Sequence, residues 1–85
     1  MAIIIKTTGK KENIEPANGK IFTLKELQKA INEYIQIVPI DSDKLMIVDE
    51  EGLIKPNPQL NIEASKIAKQ RIVGQVIVID RDQIE

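Results

Sequence analysis

Cysteine, histidine and tryptophan are all missing from this 85-residue sequence. Without thiol or imidazole there is no Cys–His or Ser–His dyad, no imidazole base and no ordinary zinc site. Catalysis would fall to carboxylates, lysines or Tyr34, so the expectation is a protein that is not an enzyme and uses no cofactor. Aromatic rings are nearly absent as well: Phe22 and Tyr34 are the only two, too few for a stacking platform along a single strand. Charge of one sign is lacking, since twelve basic side chains face thirteen acidic ones for a net charge of −1. Such a balance gives no field to attract a polyanion, and double-stranded nucleic acid is not an expected partner. No apolar run approaches the ~18 residues that a membrane span requires. The start, "MAIIIKTTGKK", has only a three-residue apolar core followed by lysines, unlike a signal peptide. A cytoplasmic location with no membrane partner is therefore expected, and the absence of cysteine fits a reducing compartment.

What is present makes one small domain. A chain of this length buries only about 60–65% of the surface its unfolded form exposes. Its core material is mostly isoleucine, which fills less volume than an aromatic ring. That shortfall favours a homo-oligomer with a shared apolar interface.

Periodicity then divides the chain. "AIIIKT" (2–7) reads as a strand with Ile3 and Ile5 on one face and Ile4 on the other, which suits an interior position. Residues 8–22 are polar, and Asn18-Gly19 carries the strongest short hairpin signal. Lys20–Phe22 either returns as a short strand or leads into a helix. Thr23 and Glu26 form a capping box for a helix over about 24–33, with Leu24, Leu27, Gln28 and Ile31 on one face. "YIQIVPI" (34–40) alternates as a strand, and Pro39 limits it or sets it at an edge. "DSDK" is a turn, and "LMIVD" (45–49) is the partner strand. After Gly52 the chain is irregular through Pro56 and Pro58. Asn61 opens a second helix, about 62–70, with Ala64, Ile67 and Ala68 as its buried face. "IVGQVIVID" (72–80) is the last strand, with Val76 and Val78 opposed to Ile77 and Ile79. The expected fold is α+β, a small mainly antiparallel sheet with two helices packed on it, in the order β-(loop)-α-β-β-α-β.

Several constellations carry candidate chemistry. Asn61 is either a cap that satisfies one orphan N–H, worth about 1 kcal/mol, or part of an anion site at a helix N-terminus. Ser65, Lys66, Lys69 and Arg71 would support the second role, while Glu63 in the first turn opposes it. Tyr34 and Gln36 share a strand face, where Tyr34 serves as a core anchor or as a stacking surface for a base. Lys6, Lys10, Lys11 and Lys20 surround the first loop, either as an anion site or as a solvated surface. The acidic residues Asp41, Asp43, Asp49, Glu50 and Glu51 lack the register of a calcium loop and read as solvated turns. The candidate ligand-binding set is Tyr34, Gln36, Asn61, Ser65, Lys69 and Arg71.

Three segments, "TLKELQKAINEYIQIVPI", "MIVDEEGLIKPNPQLNIEAS" and "IVGQVIVID", together resemble the DUF3846 type of small proteins common in phages, plasmids and related mobile elements. The match spans about residues 22–79, with Gly52, Asn61, Ala64 and Gly74 on motif positions. The chain departs from the pattern at Asn32-Glu33, where a Gly-Gly pair is usual, and at Gln36, where a glutamate is usual. The resemblance implies a mobile-element protein that acts by binding. One form is a sponge that sequesters a cyclic nucleotide immune signal in intersubunit pockets, with phosphates at the helix start and lysines and a base on Tyr34. The alternative is a protein–protein inhibitor or accessory module acting on a host defence protein through an apolar or acidic surface around residues 41–54.

Overall fold

The computed structural model describes residues 2–84. Five strands, Ala2–Ile5 (β1), Lys11–Ile14 (β2), Ile35–Pro39 (β3), Lys44–Asp49 (β4) and Val76–Asp80 (β5), form one sheet in the order β2-β1-β5-β4-β3. Every neighbouring pair is antiparallel. Two helices, Leu24–Ala30 (α1) and Ile62–Ala68 (α2), complete an α+β fold. The element order is the expected one with an additional strand inside the first loop.

Strand alternation builds two cores, one on each side of the sheet. Ala2, Leu45, Ile47, Ile77 and Ile79 pack with Leu27 of α1 and with Phe22, and Ile4 joins them. Ile5, Met46, Val48 and Val76 pack with Ala64 of α2 and with Ile72, joined by Ile3 and Val78. The helices thus cover opposite faces. Ile3/Ile5 against Ile4, and Val76/Val78 against Ile77/Ile79, divide as their period of two requires. Strand β4 is buried on both sides from Leu45 to Val48, as befits an interior strand.

β2 is the element that residue patterning does not reveal. "KENI" is polar, yet it pairs with β1 from Ala2↔Ile14 to Ile5↔Lys11. The hairpin turns at Thr7-Thr8-Gly9, where Lys6 N–H donates to the Lys10 carbonyl (2.9 Å) and Gly9 takes φ 92. Asn18-Gly19 makes a separate local turn, its Oδ1 accepting from Lys20 N–H (2.8 Å) and Ile21 N–H (3.0 Å). Phe22 does not extend into a strand but bridges to Ile84 before α1 begins.

Both helices start where their caps predict and end earlier than their apolar period suggests. Thr23 Oγ1 accepts from Glu26 N–H (3.3 Å) and Glu26 Oε1 accepts from Thr23 N–H (3.1 Å), closing the capping box. α1 stops at Ala30 because Asn32 turns away to donate to Asp49 Oδ1 (3.0 Å) and Glu51 Oε1 (3.3 Å). α2 stops at Ala68 because Lys69 takes a left-handed φ of 57. β5 begins at Val76, not Ile72, since Ile72 and Val73 instead border the segment before α2: Asn61 N–H donates to the Ile72 carbonyl, and Leu60 bridges Val73.

Candidate functional site

Asn61 stands at the junction of α2 with the sheet and is completely buried, 0% exposed. Its Oδ1 accepts from Ala64 N–H (3.0 Å), the expected cap. Its Nδ2 donates to the carbonyls of Ile5 (3.0 Å) and Gly74 (2.9 Å). Both amide hydrogens are therefore committed within the chain, and one side chain ties α2, β1 and the turn before β5 together. Ser65 is committed in the same way: its Oγ accepts from Ile72 N–H (2.9 Å) and donates to the Ile72 carbonyl (3.2 Å). These two residues are joints of the framework, their polar atoms bonded to backbone groups of the chain, with Asn61 enclosed and Ser65 half-buried.

The remaining four candidates are exposed. Lys69 is the left-handed cap residue of α2. Tyr34, 54% exposed, precedes β3 and is not a core anchor. Gln36 and Arg71 line one groove of about 260 Å³, together with residues 37–39 of β3, residues 48–50 with the carboxylates of Asp49 and Glu50, Leu53 and the segment 70–73. A second hollow of about 530 Å³ begins across Gln70 and Arg71, floored by Leu60 and Ile62 and edged by Ser65 and Lys66. Arg71 therefore divides two adjoining depressions on the α2 side. Leu53 (60% exposed) borders one and Ile62 (59% exposed) the other. Ile62 opens the helix but lies off the Ala64/Ile67/Ala68 stripe, a mismatch already visible in the sequence as an apolar residue outside the buried face.

The model of a domain of unknown function, DUF3846, matches residues 1–85. The chain belongs to the DUF3846 family. No curated protein and no solved structure matches it. The positions through which the sequence resembles DUF3846 meet around a single joint. Asn61 bonds the Gly74 carbonyl, Ala64 is fully buried beneath it, and a Cβ on Gly52 would lie 2.6 Å from Val73 Cγ2. In this chain these four residues hold α2 and the loop after β4 against the sheet.

A third cavity in this DUF3846 chain, about 460 Å³, lies between Lys6–Thr8 of the hairpin, Lys55–Gln59 of the proline-rich loop and Val73–Gln75. Both lysines of its lining are paired with carboxylates. Lys55 Nζ pairs with Asp49 Oδ2, and Lys6 Nζ lies 3.4 Å from Glu12 Oε1. Burial alone raises the Asp49 carboxyl, but Lys55, the Glu51 N–H and the Asn32 amide outweigh it and hold it below the usual range. The hydrogen-bonded ammonium of Lys6, with Lys10 beyond it, lowers Glu12 in the same sense. Lys11 pairs with Glu63 at 3.4 Å. Lys6, Lys10 and Lys11 thus pair with carboxylates of the hairpin and α2. The acidic turn is also occupied locally, since Asp41 Oδ1 accepts from the N–H groups of Asp43 and Lys44, both at 2.8 Å. Among the described residues no helix is long and apolar enough to cross a membrane.

Proposed function

We propose that this DUF3846 chain is a non-enzymatic binding module whose target is a protein segment carrying apolar and acidic side chains. The observation that carries this reading is the exposed pair Leu53 and Ile62 on either side of Arg71. Lys66 and Arg71, both exposed, place basic charge beside the apolar floor. Covering a large aliphatic side chain contributes about 1.5–3 kcal/mol, and a carboxylate met by Arg71 would set the register of the bound segment. An inhibitor or accessory role against a host defence protein, as the family resemblance implies, suits such a surface. The test is affinity capture from host lysate with native mass measurement of the complex. Wild-type chain should hold one partner at fixed stoichiometry, and a Leu53→Asp/Ile62→Asp variant with unchanged melting temperature should lose it. Undiminished capture by that variant would reject the reading.

A second reading, sequestration of a cyclic nucleotide signal, is supported by Gln36 and Arg71 sharing one groove. Here Arg71 would meet a phosphate and Gln36 a base edge. Thermal-shift screening against a panel of cyclic nucleotides separates the two readings: a shift lost in Arg71→Ala supports sequestration, and no shift for any member rejects it. Ligand recovered unchanged after heating would exclude turnover.

A further inference from the structure

The two edges of the sheet differ in chemistry. The outer strand β2, "KENI", is dressed with charge: Glu12 lies between Lys6 and Lys10, and Lys11 reaches Glu63. Charged edges of this kind discourage pairing with another strand. The opposite edge, β3, reads Ile-Gln-Ile-Val-Pro and carries no charge. Its residues bond inward on even numbers, since the Tyr34 carbonyl accepts from Glu50 N–H (3.0 Å) and Ile40 N–H donates to the Lys44 carbonyl (3.0 Å). By the antiparallel rule the N–H and C=O groups of Ile35 and Ile37 then point outward. Pro39 shares that outward parity, so its missing N–H costs the β3–β4 ladder nothing.

We propose that β3 pairs antiparallel with β3 of a second copy about a two-fold axis at Gln36, joining the two sheets into one. In this register Ile35 bonds reciprocally with Ile37 of the partner subunit, and the symmetric pair repeats the arrangement. All outward groups of both isoleucines are satisfied, and Pro39 falls opposite Glu33, outside the ladder. Shifting the axis to Ile37 places Ile35 opposite the donor-less Pro39 and Glu33 opposite Asp41, so that register is inferior on both counts. On the α1 side Ile35 and the 47%-exposed Ile37 meet their counterparts in a four-isoleucine cluster. On the other side Tyr34 lies across from Val38 of the partner subunit, and Gln36 faces its own copy. A stable interface hides about 800 Å² on each partner. A five-residue edge falls short of that by itself, and the flanking Tyr34, 54% exposed, supplies further apolar area. The pairing stands independently of both functional readings, because it follows from the sheet edge alone.

Light scattering of the full chain from micromolar to millimolar concentration should give twice the 9.6 kDa chain mass. The Ile37→Lys variant, altered at an exposed position, should return to the single-chain mass with an unchanged circular dichroism spectrum. Since the native chain has no cysteine, a Gln36→Cys variant reports the register directly. A non-hydrogen-bonded antiparallel pair sets Cα atoms about 4.5 Å apart, within the about 4.4–6.8 Å that a disulfide spans. Mild oxidation should cross-link Gln36→Cys far faster than Val38→Cys. A monomer at every concentration, a dimer that survives Ile37→Lys, or equal cross-linking of the two cysteine variants would each overturn the proposal.

Discussion

Replacing Asn61 with alanine should be the most damaging single truncation of a polar residue in this chain. The variant loses the cap on Ala64 N–H, worth about 1 kcal/mol. It also strands the Gly74 carbonyl beside a fully buried position, costing about 1–3 kcal/mol when left unpaired, and removes the side-chain donor from the Ile5 carbonyl, which keeps its ladder partner Val76. The expected loss is therefore about 2–4 kcal/mol, against a total of about 4–13 kcal/mol for a domain this long. Guanidinium unfolding followed by far-ultraviolet circular dichroism should show a lower midpoint with an unchanged slope. Asn61→Asp refines the test. It keeps the capping oxygen but offers two carbonyls an acceptor instead of donors, so its folded-state pKa must rise. A raised carboxyl leaves stability intact below the unfolded value of about 3.9 and removes it as pH climbs toward the folded value. This variant should weaken between acid and neutral pH, opposite to ordinary acid unfolding. An alanine variant that loses less than about 1 kcal/mol would mean that the Gly74 carbonyl finds another partner, and the joint described above would be refuted.

Two further outcomes follow from local geometry. Gly52→Ala should destabilise the chain by about 1–3 kcal/mol through overpacking, because the new Cβ meets buried Val73 at 2.6 Å, and a joint Val73→Ala change should restore most of the loss in thermal melts. Asp80 is held down to about 2 by the Lys44 ammonium, 2.9 Å away. A depressed carboxyl contributes stability that is complete above its ordinary value of 3.8 and lost as pH falls toward about 2. Asp80→Asn should flatten the stability profile in that window, and an unchanged acid limb in melts would contradict the assignment.

Local chemistry made much of this fold readable. The Thr23–Glu26 box and the Asn61 cap announce both helix starts, since each needs only residues three apart. Alternating isoleucines and valines in β1 and β5 divide correctly between faces because a strand permits only two sides. β2 escaped detection because an edge strand with one wet face needs little apolar content, and the Asn18-Gly19 signal pointed elsewhere. Helix C-termini are set by distant partners that local spacing does not show, as when Asn32 leaves α1 for Asp49 and Glu51. The candidate site was legible only in part. Gln36 and Arg71, thirty-five positions apart by sequence number, do line one groove. No spacing could show that Asn61 and Ser65 spend their polar atoms on carbonyls of Ile5, Gly74 and Ile72.

Strand β4 is a party wall between two rooms. It lends Leu45 and Ile47 to one and Met46 and Val48 to the other, so neither room can be emptied while the other stands. A guest clamped against α2 would stiffen the shared wall, and amides of α1, on the far side and touching no guest, would exchange their hydrogens more slowly.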